Sequence, residues 1–299
     1  MPDGPAGRGD GPSYRRGLAY LFVATLFTSL AGVTLRLIEE ADGWQVLFYR
    51  SLAFVATMAL FTAWRHRGGT LHAFLAVGRP GLVMALCLGS ATMLFVFAML
   101  QTTVAAVVFT VGLSPFFAAL FAWVAMREKV APSTWAAMAA AIVGIGFMVG
   151  DGLAGGAITG NLLALVCCLC FSAGIVAMRK GRAVDMVPAV CLAGVFATVV
   201  SGVMAADLVV TRHDLALALF MGVVQLGVQY MLITAASRAV PAAEVTLIGR
   251  LTLVLAPLWV WLAVGEVPGA LVMVGGLIVF VAITGHGLAA LLGKTGPAT

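Results

Sequence analysis

The chain has 299 residues, 62% apolar and 10% charged, with a net charge of +5 and a mean hydropathy of +1.10. Soluble domains average about 45–50% apolar and about 25% charged residues, so this composition excludes a water-facing globule. Ten bilayer-crossing helices of about 20 residues would use about two thirds of the chain, leaving only tails and loops and no room for a separate soluble catalytic or nucleic-acid-binding domain.

Residues 1–16, rich in Gly, Pro and charge, read as a disordered tail. Ten apolar runs follow, at 18–37, 44–64, 80–100, 103–126, 133–150, 159–178, 186–207, 214–236, 242–264 and 268–292, each of spanning length. The break at Gln101-Thr102-Thr103 carries no charge, but one helix from 80 to 126 would be too long for a single crossing. Arg15-Arg16 and the small residues Ser29 and Ala31 give the first run a signal-peptide flavour. Its apolar stretch continues to Ile38, so it reads as a span. Residues 293–299 form the second tail.

With the N-terminus in the cytoplasm, 13 of the 17 Lys and Arg residues fall on the cytoplasmic side. Only Arg36 and Arg212 fall opposite, while Arg50 and Arg250 lie within spans. Cytoplasmic loops carry such an excess, and merging or adding one span would invert every later loop and spoil the split. The expectation is an all-α, ten-span membrane protein, as in a bacterial inner (plasma) membrane, with both termini cytoplasmic. The five cysteines, Cys87, Cys167, Cys168, Cys170 and Cys191, sit in apolar runs at an odd count and read as small buried hydrophobes.

The chain repeats. At a shift of 138 residues, Leu113, Trp123, Glu128 and Val143 fall on Leu251, Trp261, Glu266 and Val281; at a shift of 143, Gly17, Ser29, Val33 and Arg36 fall on Gly160, Ser172, Val176 and Arg179. The Trp and Glu at a fixed five-residue spacing carry the signal. Five spans per unit is odd, so the second copy is threaded through the membrane upside down. Inverted repeats are the usual basis of alternating access around a midplane site.

The endings Pro115…Trp123…Glu128 and Pro257…Trp261…Glu266, with the ten spans and the duplication, resemble the EamA type of the drug/metabolite transporter superfamily. The resemblance covers residues 17–292, as repeats at 17–150 and 159–292. It departs in span one, where Phe27-Thr28-Ser29 and Arg36 stand in place of a Trp-Gly-Ser start and a terminal Lys. It implies a helical basket around a central cavity, with substrates ranging from amino acids to nucleotide-linked sugars.

Ionisable groups inside spans cost about 2.5–3.5 kcal/mol near the helix centre and are functional candidates by default. Arg50, Glu244 and Arg250 are three, and none is repeated, since Ala106 matches Glu244 and Gly112 matches Arg250. Arg50 either faces a cavity or snorkels toward Glu39, Glu40 or Asp42. Arg250 faces either a ligand anion or Glu244, and Glu244 after Pro241 either complements its helix dipole or holds a coupling proton. Gln225, Gln229 and Tyr230 in span eight, Thr28 and Ser29 in span one, Tyr49 beside Arg50, and Thr246 complete the expected polar cavity. Trp123 and Trp261 read as interfacial anchors, and Pro115 and Pro257 as kinks. Gly144, Gly275 and Gly276 suit close helix contacts within one chain or in a homodimer.

The expected function is secondary transport of a small polar metabolite with an anionic group, held by Arg50 and Arg250, with a coupling proton or counter-substrate. No cofactor or metal is called for. An exporter of cationic or amphipathic compounds, a channel and an intramembrane enzyme are the alternatives. No P-loop, HExxH or GxSxG motif is present, which speaks against ATP hydrolysis and the enzyme reading.

Overall fold

The computed structural model describes residues 12–66, 70–127, 132–181 and 184–293, and among these every regular element is helical. Glu128 and most of both tails lie outside the described residues. Span one is α1 (Pro12–Ser29) and α2 (Ala31–Arg36); span two is α3 (Gly43–His66). A short connector, α4 (Thr70–Ala76), leads to span three, α5 (Gly78–Gln101). Span four is α6 (Val104–Gly112) and α7 (Ser114–Met126), and span five is α8 (Pro132–Gly155). Spans six and seven are α9 (Ile158–Lys180) and α10 (Val187–Met204). Span eight joins α11 (Arg212–Phe220), a π-helical segment (Met221–Val228) and α12 (Gln229–Ala236). Span nine is α13 (Ala242–Gly249) and α14 (Thr252–Val264), and span ten is α15 (Ala270–Gly293).

Among the described residues, nine helical stretches are long and apolar enough to cross a bilayer, and the apolar part of α15 supplies the tenth. Helix α1 begins at Pro12, so residues 12–16 of the expected disordered tail are helical. Their helix continues into an apolar span, and a Pro tolerated in the first turn starts it.

The packing has the symmetry of the repeat. Exchanging spans one to five with spans six to ten maps the main helix pairs onto one another. Helix α5 lies along α9, as α1 lies along α12; α7 meets α9, as α14 meets α1 and α2. Helix α10 meets α5, as α3 meets the π segment, while α3–α10 and α8–α15 map onto themselves. Spans four and nine even break at equivalent residues, Leu113 and Leu251. Both then end on left-handed residues, Arg127 (φ +54°) and Gly265 (φ +69°), each just before a Glu. The break in span nine falls at Arg250–Leu251 and α14 runs on through Pro257, whereas Pro115 stands in the first turn of α7 directly after its break. Gly144 and Gly275 allow α8 and α15 to touch backbone to backbone, and Gly276 accommodates Phe109, so these glycines serve contacts inside one chain.

Ten crossings put the start of α1 and the end of α15 on one face, called here the terminal face; the other is the distal face. At the distal face Arg36 Nε donates to Glu266 Oε2 (2.8 Å), while its Nη1 and Nη2 donate to the Met99 and Thr102 carbonyls (2.6 and 2.8 Å). Glu266 Oε1 accepts the Val104 N–H (2.7 Å) at the start of α6. Asp214, 1% exposed, accepts three backbone N–H groups, from Glu39, Glu40 and Ala41 (2.9–3.1 Å), and fastens the loop between spans one and two to α11. At the terminal face Arg65 pairs with Asp185 (2.9 Å).

Candidate functional site

A cavity of about 430 Å³ lies between spans one, two and three, α6, α9, α10 and span eight. Three features of the chain create it. The span-one break after Ser29 turns Thr28 and Ala31 to its wall. Gly222 lets the π segment press against the backbone of Arg50, where a Cβ would collide with the Arg50 carbonyl, and Gly227 packs on Thr57. The π-helical winding then presents Gln225, Leu226, Gln229 and Tyr230 to the space together; π segments recur at functional sites because they re-aim a helix face.

Most of the wall is apolar, with Phe54, Met84, Leu88, Phe95, Phe171 and Met178 among it. The polar lining is Thr28, Arg50, Ser51, Thr92, Gln225, Gln229 and Tyr230, with the Cys167 thiol, and no carboxylate is among the lining residues. Arg50 is 4% exposed, and its Nε and Nη1 are buried without a hydrogen-bond partner. A buried guanidinium without partners costs several kcal/mol, so a side chain kept in this condition calls for a ligand. Gln225, 3% exposed, donates through Nε2 to Thr34 Oγ1 (2.7 Å) and leaves its Oε1 unpartnered; Ser51 Oγ is unpartnered too. The lining thus carries three kinds of unmet group: donors on Arg50, an acceptor on Gln225 and a hydroxyl on Ser51.

The sequence candidates divide. Arg50, Gln225, Gln229, Tyr230 and Thr28 line one cavity, and Arg50 does not reach Glu39, Glu40 or Asp42. Tyr49, the neighbour of Arg50, points the other way, its hydroxyl donating to the Leu208 carbonyl (2.6 Å) at the distal face. Ser29 is fully buried beside the cavity, donating to Leu26 O and accepting from Trp259 Nε1 (3.0 Å). Arg250 sits at the break of span nine, partly buried, and is not among the residues that line the cavity. Glu244 accepts from the Tyr14 hydroxyl (2.6 Å) in the first turn of α13, so its partner is on α1 and not Arg250. Thr246 is exposed on the same short helix. Ser51, Thr92 and the aromatic and Met lining escaped the sequence reading. Ser51 stands next to Arg50 and carried a usable signal, whereas apolar cavity walls look the same as lipid-facing ones.

Cys167 and Cys168 point their thiols at the Ala91 and Val111 carbonyls (3.2 and 3.8 Å), as small buried side chains do. Among the described residues, no three His, Cys, Asp or Glu side chains gather as a metal site would require.

The sequence profile of the EamA-like transporter family matches this chain twice, over residues 15–150 and 158–286. A solved crystal structure of a protein superimposes with a TM-score of 0.64 at 18% identity, over 94% of this chain and 99% of that one. At that identity the likeness shows a shared fold. No curated protein matches the sequence.

Proposed function

The chain belongs to the EamA-like transporter family, and on that premise we propose that it carries an amphipathic organic anion through the membrane by alternating access. The anionic group, a carboxylate or phosphate, sits at Arg50 with the Ser51 hydroxyl, Gln225 Oε1 accepts from a donor elsewhere on the ligand, and an apolar or aromatic body lies along Phe54, Phe95 and Phe171. Gln229 and Tyr230 contact the remainder from span eight. The terminal face is cytoplasmic in this reading, supported by the asymmetry of Lys and Arg between the loops.

One observation carries the proposal: a nearly inaccessible guanidinium with unpartnered nitrogens, in the wall of a cavity that offers no carboxylate to pair with it. Charge-assisted hydrogen bonds from a ligand anion would satisfy it. An organic cation would meet the same charge with no counter-ion, which disfavours the cationic-exporter reading while keeping its amphipathic part.

The test is thermal stabilisation of the purified protein in lipid nanodiscs by matched pairs of small compounds. Aryl carboxylates should raise the unfolding temperature, and aryl-alkylamines of the same size should not. Equal stabilisation by both sets, or stabilisation by the amines alone, would refute the anion assignment.

A further inference from the structure

We infer that the Arg36–Glu266 ion pair is the latch that closes the distal gate of the transport path, an inference that rests on the alternating-access reading above. Along α5 the cavity runs from Met84 to Phe95, each six residues from a helix end, and its lining comes nearest to a membrane face along α9. Toward the terminal face its lining reaches Met178, two residues from the end of α9. Toward the distal face it stops at Ala31, Arg50 and Phe95. Beyond them lies a packed plug that includes Leu35, Val46, Leu47, Met99 and Val104, each at most 3% exposed.

The latch ties this plug together. Arg36 ends α2 of span one, and Glu266 follows α14 of span nine. Their bonds reach Met99 in span three, Thr102 after it, and Val104 at the start of span four. Four spans from both repeats are therefore held by two side chains. Each bond is charge-assisted, and the Glu266 carboxylate also caps the positive end of α6. Opening a distal route requires spans one and nine to leave spans three and four, and that movement breaks this set of bonds together.

The assignment explains why a polar knot stands at the far end of an apolar plug. Apolar packing alone would close the route, whereas directional bonds close it in one register and release it as a unit. Arg36 and Glu266 touch no cavity residue through these bonds, so they act on access and not on ligand affinity in the closed state.

The experiment uses the full chain, freed of its five cysteines, with Thr92→Cys as a reporter in the cavity wall. A charged, membrane-impermeant maleimide is applied from one face at a time to oriented vesicles, and no substrate is needed. Labelling from the terminal face should stay unchanged in every variant, which also certifies folding. From the distal face, Glu266→Gln and Arg36→Met should each raise the labelling rate about tenfold, as expected for loss of charge-assisted bonds. The double variant should match the single ones, because both break one device. Distal labelling at the parental rate in both single variants, or effects that multiply in the double, overturns the latch. Should neither single variant fold, hydrogen exchange on the unaltered protein decides: the Val104 amide must open together with α2, and independent fraying at the start of α6 refutes the inference. A negative result here leaves the anion-binding test untouched, since that test reads affinity and this one reads access.

Discussion

Replacing Arg50 with Met should make the ligand-free protein more stable and weaken anion binding by about a hundredfold or more. The two effects separate a functional arginine from a structural one. Arg50 is 4% exposed, and neither Nε nor Nη1 has a partner. Replacing even a paired buried charge by apolar side chains of similar volume is often neutral or stabilising, by up to about 4 kcal/mol, and Arg50 has no ion-pair attraction to lose. Met reaches a similar length and meets Phe54, Leu88 and Leu226 in the same wall. Binding moves the other way, because each hydrogen bond to a charged group contributes about 1.5–3 kcal/mol, or about ten- to a hundred-fold in affinity. With two unpartnered nitrogens, the loss should sit at the upper end of that range or beyond. The assay is paired on one preparation in nanodiscs: thermal unfolding without ligand, then titration calorimetry with the best carboxylate. A lower unfolding temperature for Arg50→Met with unchanged affinity would refute the reasoning, since it would mean that the guanidinium holds the fold.

Arg250→Ala, by contrast, should leave carboxylate affinity unchanged, because Arg250 lies outside the cavity lining; a loss comparable to that of Arg50 would show that the two share a site. Gly222→Ala should lower thermal stability by about 1–3 kcal/mol, the usual cost of forcing extra atoms into a packed contact, because the new methyl would meet the Arg50 carbonyl and the Ala53 side chain. Asp214→Ala should cost about 3 kcal/mol, since three backbone N–H groups lose a charged acceptor, and hydrogen exchange should rise at residues 39–41 while the α8–α15 pair stays protected.

The fold was legible in the sequence because lipid leaves few choices. Backbone polar groups in hydrocarbon must be satisfied within helices, so apolar length translates directly into spans. The repeat was legible for a related reason: Trp123 and Trp261, both about half exposed, lie at equivalent helix ends where lipid gives way to water, and that position tolerates few residue types. The helix breaks were visible only in part. Pro115 marked the break in span four, but the break in span nine came six residues before Pro257, at a Leu whose only signal was its match to Leu113. The cavity was harder still. Sequence periodicity places Gln225 and Gln229 on one helical face, yet the π segment that turns this face inward depends on Gly222 and Gly227 meeting α3. Depth along the bilayer does not fix direction around a helix axis. Arg250 was as plausible as Arg50 by depth, and only the packing of span nine put it outside the cavity lining.

The single guanidinium in a duplicated scaffold follows from where the symmetry axis runs. An element that packs against its own counterpart lies on that axis, and α3 with α10 and α8 with α15 are such pairs. Helices α3 and α10 meet at Gly194, which has no side chain and lies against Phe54 and Val55. Arg50 stands four residues from Phe54, one helical turn or about 6 Å along α3. In the proposed alternating-access cycle, a group near the axis is displaced least when the two halves exchange conformations, so one guanidinium would meet the ligand from both faces. A second guanidinium at the equivalent position would crowd the same small space with a like charge and no acid to balance it. The scaffold can therefore duplicate, while the charge at its centre stays single.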